Sequence, residues 1–298
     1  MVPLVDSHCH VRTRRSAADA PVLAPAAGTT RCVMSCNVYD WKTLAATSPG
    51  CIGFGVHPWY AHLFSLEAEC NKATHYRAVL QARDTQELQA LIAHLPPPIS
   101  LEAHIAAGIA ARPQCVGEVG LDKVFRLPAG GVYESGGALT GVRVSAEHQL
   151  AVFRRMCELA VAQGLPLSVH AVRWHGKVLD VCREVLGADP RVNVCLHSYS
   201  GDIHTGRRWC AAFGSRVFFG VSNALNLRDY DAALQLLRTL PLESLLTETD
   251  RAIDDTEPAV LESDLQAVLR AIRDAHGLPS VDAARMAVYS NFCRFLSM

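Results

Sequence analysis

The sequence lacks a long apolar run. No window approaches the roughly 18 consecutive apolar residues of a membrane-spanning helix, and the amino terminus has no basic flank followed by a long apolar stretch. These absences exclude a membrane helix and a signal peptide. We therefore expect a soluble protein of the cytoplasm, with the nucleus open as a second compartment and with no membrane partner.

An excess of basic charge is also missing. Lys and Arg number 28 against 29 Asp and Glu, which gives a net charge of -1. A protein that binds double-stranded DNA along a broad face needs a positive field. Any contact with phosphate is therefore expected to be local, with a strand end entering a narrow mouth.

Paired CxxC motifs are absent, although the chain has 11 cysteines. The nearest approach, Cys32 to Cys36, has no matching second pair, so a zinc knuckle is excluded. Most of the cysteines lie inside apolar segments such as 193–196. We expect buried, reduced thiols with a structural role.

The sequence does contain eight short apolar segments, each of which ends in a polar residue. They run from Pro3 to Asp6, Arg31 to Asn37, Cys51 to His57, Gln114 to Glu118, Leu167 to His170, Arg191 to His197, Arg216 to Ser222 and Ser244 to Asp250. Near-continuous apolar strands of this kind are typical of a parallel sheet that is covered on both faces.

Helical periodicity occupies the segments between the later strands. The helices are predicted over His148 to Gln163, Gly176 to Leu186, Asp202 to Phe213, Arg228 to Leu240, Pro258 to His276 and Val281 to Leu296. Alternating strands and helices predict an α/β fold, namely a (β/α)8 TIM barrel that spans residues 1–298 as one domain.

Besides a predicted loop from Arg12 to Gly28 that is rich in Ala, Pro and Arg, two segments exceed a minimal barrel. The first, residues 60–112, contains a helical pattern from Tyr76 to Leu95, and the second, residues 125–145, is rich in glycine and predicted to be a flexible loop. Lone histidines within or near the first insertion, namely His62, His75, His94 and His104, are expected on the surface or on helices, with no chemical role.

His8 and His10 lie one residue apart and follow the first segment, so a strand that continues through them places both on one face. Other metal-binding residue types stand at the carboxyl ends of five of the seven remaining strands, where barrels of this kind carry their active sites. These are His57, Glu118, His170, His197 and Asp250.

These seven side chains without His57 leave six potential ligands. Six are more than one tetrahedral zinc ion needs, but they suit two divalent ions that share a carboxylate. We expect Glu118 to bridge an ion held by His8, His10 and Asp250 and another held by His170 and His197. Two ions about 3.5–4 Å apart activate water, and Asp250 would accept its proton. The donor types leave Zn²⁺, Mn²⁺ and Mg²⁺ open.

Six sequence motifs resemble those of the TatD family of metal-dependent deoxyribonucleases, within the amidohydrolase superfamily. They are DSHCH, GVHPW, GEVGLD, PLSVH, LHSYSG and TETD. The longer strings GEVGLDKVFRLP and PLSVHAVRWHGK are most similar to a fungal branch described as Cut9-interacting, and this likeness implies a protein partner.

The resemblance implies cleavage of DNA phosphodiesters, often from a single-stranded or 3′ end. It also implies that His8, His10, Glu118, His170, His197 and Asp250 are metal ligands and that His57 lies beside the scissile phosphate. Arg173 and Ser200 are candidate phosphate contacts, whereas Asp6 and Asp122 are candidates to orient ligand histidines.

Two alternatives stay open at this stage. An amidohydrolase that cleaves a small amide or ester would keep both ions, although many such enzymes bridge them with a modified lysine where Glu118 stands. A protein-interaction module would retain the metal site for stability and dock through residues 60–112.

Overall fold

Eight parallel strands form one sheet in the computed structural model, which describes residues 2–15, 28–47, 50–134, 136–187 and 189–298. Most of the predicted loop from Arg12 to Gly28 lies outside these described residues. The strands are β1 Leu4–His10, β2 Thr29–Met34, β3 Cys51–Phe54, β4 Cys115–Asp122, β5 Leu167–Val172, β6 Val194–Leu196, β7 Val217–Ser222 and β8 Leu245–Glu248. Each strand pairs with the next one along the chain, so all eight carboxyl ends meet at one end of the sheet.

The sheet curves until its two edges meet. Thr247 donates its hydroxyl hydrogen to the Val5 carbonyl at 2.6 Å, and the Asp250 amide donates to the His8 carbonyl at 3.0 Å. The result is a nearly closed barrel, which confirms the predicted (β/α)8 architecture. Closure places the ends of β1 and β8, and therefore His8 and Asp250, side by side.

Helices cover the outside of the sheet and form the additional segments. They are α1 Val38–Thr47, α2 Lys72–Val79, α3 Thr85–His94, α4 Leu101–Ala110, α5 Ala146–Gln163, α6 His175–Leu186, α7 Ile203–Phe213, α8 Asn223–Asn226, α9 Tyr230–Thr239, α10 Pro258–His276 and α11 Val281–Phe295. The six predicted helices correspond to α5, α6, α7, α9, α10 and α11, with ends that move by at most two residues.

Local sequence signals explain these ends. The Asp202 carboxylate accepts a hydrogen bond from the Thr205 amide at the start of α7, and Ser145 caps α5 in the same way through the His148 amide. Gly164 ends α5 in the left-handed conformation, with φ of 64°, which glycine adopts without steric cost.

The helical pattern predicted from Tyr76 to Leu95 is present but interrupted. The structure has two helices there, because Asp84 adopts an extended conformation and its side chain caps the start of α3. Between α2 and α3, Leu80–Gln81 pairs antiparallel with Arg143–Val144. Periodicity did not reveal the break, because residues on both sides keep a helical pattern.

The second additional segment is packed rather than loose in its described part. Leu127 and Val142 are fully buried, and the Leu127 amide donates to the Val142 carbonyl at 2.9 Å. The predicted flexible loop is therefore wrong for these residues, because their apolar side chains join the core.

The lone histidines lie on the surface or on helices, as expected. His94 is exposed, His75 and His104 lie in α2 and α4, and His62 lies in the short 3₁₀ helix Ala61–Leu63. His62, His75 and His104 are buried. Nε2 of His62 lies 2.9 Å from the Gly131 carbonyl oxygen, and the His104 ring packs 4.8 Å from the Phe54 ring, measured between centroids. These histidines attach the first additional segment to the rest of the fold.

Two findings concern membrane-spanning helices and thiols in the described residues. No helix there is long and apolar enough to cross a membrane. The cysteines are free thiols, and several, such as Cys32 and Cys115, are fully buried in the core.

Candidate metal centre

The Glu118 carboxylate lies at the centre of a cluster at the carboxyl ends of the strands. Its Oε2 atom is 3.4 Å from Nε2 of His8 and 3.4 Å from Nε2 of His10. Its Oε1 atom is 3.0 Å from Nδ1 of His170 and 2.7 Å from Nε2 of His197. One carboxylate therefore presents a different oxygen to each of two histidine pairs.

The first pair is completed by Asp250. Nε2 of His8 and Nε2 of His10 are 3.1 Å apart, and Nε2 of His10 is 3.2 Å from Oδ1 of Asp250. A tetrahedral ion with bonds of about 2.0–2.1 Å separates its ligand atoms by roughly 3.3–3.4 Å. The spacing of these donor atoms fits one divalent ion.

The second pair has similar spacing. Nδ1 of His170 and Nε2 of His197 are 3.2 Å apart, and both approach the same Glu118 oxygen. Glu118 lies between the two groups of donors, and this cluster of histidine and carboxylate side chains could hold metal. Imidazole nitrogens and carboxylate oxygens are ordinary ligands of zinc and manganese, and carboxylates also suit magnesium.

His57 also contacts the Glu118 carboxylate, with its Nε2 3.2 Å from Oε1. Its Nδ1 accepts a hydrogen bond from the Trp59 amide at 3.2 Å, which places the proton of the neutral ring on Nε2. Burial lowers the pKa of His57 to about 4. This ring is therefore a neutral donor at pH 7, whereas a metal ligand would need a lone pair on Nε2.

Most of the proposed ligand histidines have a partner for their outer nitrogen. Nδ1 of His8 lies 2.8 Å from the Ser168 hydroxyl, and Nε2 of His170 lies 3.3 Å from Oδ2 of Asp122. Such contacts fix the tautomer and leave the opposite nitrogen directed at the cluster.

Asp122 is itself held firmly, as its predicted supporting role requires. The Trp59 indole donates to Oδ2 at 2.8 Å, and the amides of Val124 and Phe125 donate to Oδ1. Burial opposes ionisation, but the hydrogen bonds from His170 and Trp59 lower the pKa of Asp122 well below its usual value. The carboxylate is an ionised acceptor for the His170 ring.

Asp250 has an unusual backbone conformation for a residue other than glycine, with φ of 55°. Asp and Asn tolerate this left-handed region better than most residues. Burial raises the pKa of its carboxyl, but the hydrogen bond from His10 and the nearby His197 outweigh burial and lower it to about 2. Asp250 is therefore ionised at neutral pH.

Asp6 contacts Thr249 rather than a histidine. The Thr249 amide donates to Oδ1 at 2.8 Å and its hydroxyl to Oδ2 at 2.9 Å. Burial raises the pKa of Asp6 to about 7. Asp6 thus ties β1 to the residue before Asp250, and any support for His8 or His10 would act through that connection.

Two residues of the cluster, Cys36 and Glu248, were not predicted as site residues from the sequence. The Cys36 thiol lies 3.5 Å from Nδ1 of His10 and 3.6 Å from Oε2 of Glu118. Glu248 accepts hydrogen bonds from the Ser198 amide at 2.5 Å and hydroxyl at 2.8 Å. Both stand near the ends of predicted strands, which was the available signal.

A cavity of about 640 Å³ opens above the cluster. His57 and Ser200 line it, and so do Trp59, Tyr133 and Arg12. Arg173 is exposed and is not among the lining residues. The structure therefore brings His57 and Ser200 close to the proposed ligands. It leaves Arg173 outside the cavity wall.

A TIM barrel with histidines and carboxylates gathered at the carboxyl ends of its strands is the architecture of a metal-dependent hydrolase. The family model described as TatD related DNase matches residues 5–297, and the chain belongs to this family. The predicted family and the predicted class, a TatD-type hydrolase acting on phosphodiester bonds, are confirmed at this level.

Two yeast proteins are similar over most of their length. A protein of Saccharomyces cerevisiae described as an uncharacterized deoxyribonuclease is 40% identical, over 99% of this chain and 100% of its own. The Cut9-interacting protein scn1 of Schizosaccharomyces pombe is 28% identical, over 84% of this chain and 87% of its own. The likeness to the fungal branch is thereby confirmed.

Two solved structures share the fold. A TatD family hydrolase from Entamoeba histolytica aligns with a TM-score of 0.61 and 15% identity, over 99% of this chain and 98% of its own. The TatD homologue YjjV from Escherichia coli aligns with a TM-score of 0.61 and 20% identity, over the same shares. At these identities the likeness supports the architecture alone.

Proposed function

We propose that this protein is a deoxyribonuclease that uses two divalent ions to hydrolyse DNA phosphodiester bonds at a single-stranded 3′ end. The observation that carries the proposal is the Glu118 carboxylate, which directs one oxygen toward His8 and His10 and the other toward His170 and His197. A scaffold without catalysis has no chemical need for this arrangement.

In this proposal His8, His10 and Asp250 hold one ion, His170 and His197 hold the other, and Glu118 bridges them. The bound ions would lower the pKa of water towards about 7 and neutralise charge on the attacking and leaving oxygens. Histidine ligands favour Zn²⁺ or Mn²⁺, while phosphoryl chemistry also suits Mg²⁺.

Asp250 would accept the proton of the attacking water. Its Oδ1 atom faces His10 at 3.2 Å, whereas Oδ2 lies 3.4 Å from the Ser198 hydroxyl. One oxygen can therefore serve the ion while the other serves as a general base. The low pKa of Asp250 keeps the carboxylate ionised at neutral pH.

His57 would donate a hydrogen bond to a phosphate oxygen. Its proton lies on Nε2, which faces the cluster, because the Trp59 amide occupies Nδ1. A donor aimed at the reacting phosphate stabilises charge that develops during cleavage. Ser200 on the cavity wall is a second candidate contact, and Arg173 would need to reach the phosphate from outside the wall.

The charge distribution supports entry of a strand end. The net charge is -1, and the carboxylates of Asp40, Glu134 and Asp255 line the cavity. A duplex lying across a broad face would gain little from such a surface. A single strand needs only a few phosphate contacts near the centre.

The direct test is cleavage of single-stranded oligonucleotides that carry a label at either end. Protein loaded with Zn²⁺, Mn²⁺ or Mg²⁺ should shorten the strands stepwise from the 3′ end, and a chelator should stop the reaction. Protein with Glu184→Gln, an exposed carboxylate of α6 that pairs with Arg154, serves as the control. Absence of cleavage with all three metals would contradict the proposal.

A protein partner and a cytoplasmic or nuclear location belong to the same proposal. The protein partner is supported by the name of the Schizosaccharomyces pombe relative, a Cut9-interacting protein. We place the docking surface on residues 60–112, as an insertion in one TIM-barrel domain. Pull-down with the segment's exposed residues substituted would test this surface.

A further inference from the structure

Two aromatic side chains form a corner in the cavity wall beside the metal centre. Trp59 follows His57 in the GVHPW motif, and Tyr133 comes from residues 125–145. Both line the cavity and both are half-buried. Their ring centroids are 5.1 Å apart and the ring planes meet at 76°.

A third aromatic ring packs against the corner formed by Trp59 and Tyr133. Phe125 stacks on Trp59 with centroids 4.2 Å apart and planes 9° from parallel. The ring centroids of Phe125 and Tyr133 are 6.1 Å apart. If Tyr133 covered the opposite face of Trp59, the indole would lie between the two rings and their centroids would be much farther apart. Tyr133 therefore lies at the edge of the indole and does not cover the face of Trp59 that points away from Phe125.

Hydrogen bonds hold the Trp59 ring and the Tyr133 backbone in place. The Trp59 indole donates to Asp122 at 2.8 Å, and the Tyr133 carbonyl accepts from the Tyr60 hydroxyl at 2.6 Å. The next residue, Glu134, forms an ion pair with Arg15 at 3.3 Å. A ligand that stacks in the corner would lose little entropy in ordering these side chains.

The corner is adjacent to the proposed chemistry. The Trp59 ring lies 5.0 Å from the His57 ring and 6.3 Å from the His170 ring, measured between centroids. A flat group resting there would belong to the nucleotide whose phosphate occupies the centre. The nearby Glu134 carboxylate disfavours a second phosphate at this place.

We infer that Trp59 and Tyr133 bind the nucleobase adjacent to the scissile phosphate by stacking, an inference that rests on the proposed function. The base is the large, flat and uncharged part of a nucleotide, and stacking on aromatic side chains accepts any base. The corner thus selects nucleotides over simple phosphodiesters and leaves the sequence of the DNA unread.

Binding of thymidine 5′-monophosphate and of 2-deoxyribose 5-phosphate to the metal-loaded protein tests the inference without cleavage. Calorimetry should show about tenfold or tighter binding of the nucleotide, since one stacked base contributes that order of affinity. Tyr133→Leu should remove most of the difference, and Tyr133→Phe should keep it. The matched control Tyr230→Leu, at an exposed tyrosine, should leave both affinities unchanged.

Equal affinities for the two compounds in the unmodified protein would overturn the inference, and so would a Tyr133→Leu variant that keeps the full preference. Oligonucleotides with or without a 3′-terminal base separate the two proposals. Cleavage of both at the same rate would retain the nuclease and reject stacking. Preferential nucleotide binding without any cleavage would support stacking and reject the nuclease.

Discussion

Nε2 of His197 lies 2.7 Å from Oε1 of Glu118, the shortest contact between this carboxylate and the five histidines that surround it. Burial raises the pKa of Glu118, but His57 and His197 outweigh burial and hold it well below its usual value. A buried anion thus stands between two groups of nitrogen donors.

Glu118→Gln should reduce the bound metal from two ions per chain to one or fewer. The amide keeps the shape of the side chain but loses the charge and one of the two oxygen acceptors. We expect DNA cleavage to fall at least about 100-fold, since metal-assisted activation of water is lost. Metal content by mass spectrometry, beside Glu184→Gln as control, measures this. Two ions retained in Glu118→Gln would contradict the bridging role.

Asp250→Asn should abolish turnover while the protein remains folded. Asparagine tolerates the left-handed backbone with φ of 55°. The hydrogen bond from the backbone amide of residue 250 to the His8 carbonyl is unchanged. Loss of a general base costs about 10²–10⁴-fold in rate. Rates are compared with the circular dichroism spectrum of each protein. A variant with normal turnover would reject Asp250 as the proton acceptor.

Asp122→Asn should weaken metal binding by about 10–100-fold, the usual effect of losing an outer partner of a ligand histidine. The amide can present its NH₂ group to His170, whose Nε2 lies 3.3 Å from Oδ2 of Asp122, so the tautomer is no longer fixed. Competition with a fluorescent chelator measures the affinity. Asp282→Asn, an exposed residue in the first turn of α11, should behave as the unmodified protein, and equal affinities in all three proteins would refute the expectation.

His62 should make the protein less stable in acid. Burial, aided by His148 and His75, lowers its pKa to about 3 from the ordinary 6.5. Between these two pKa values, His62 is therefore protonated in the unfolded chain and neutral in the folded chain. The stabilisation is complete above pH 6.5 and is lost as the pH falls towards 3, by at most about 1.4 kcal/mol per pH unit.

Urea unfolding at several pH values checks this expectation. His62→Gln can still donate to the Gly131 carbonyl but cannot titrate, so its free energy of unfolding should depend less on pH between 6.5 and 4. His94→Gln, at an exposed histidine, provides the control. Parallel pH curves for the unmodified protein and His62→Gln would show that another group causes acid unfolding.

The convergence of the candidate ligands could be predicted because parallel strands bring their carboxyl ends to one end of a barrel. His8, Glu118 and His170 are far apart in the chain, yet each stands at the end of an apolar segment. Their common position along the strands was enough to predict that they meet. Cys36 occupies an equivalent position, but its apolar surroundings favoured a structural thiol.

Other features depend on contacts between distant segments. The sequence indicated which side chains converge but not which of their atoms meet, such as Nδ1 of His170 and Oε1 of Glu118. The corner formed by Trp59 and Tyr133 joins residues separated by 74 positions, and no local pattern relates them.

The sequence by itself therefore determined the barrel, the family and the set of candidate ligands, because strand and helix periods and short motifs are local properties of the chain. Only the tertiary structure decided which oxygen of Glu118 faces which histidine, which nitrogen of His57 carries its proton, and that His62 is buried. These depend on packing and hydrogen bonds between segments far apart in the chain, which periodicity does not encode.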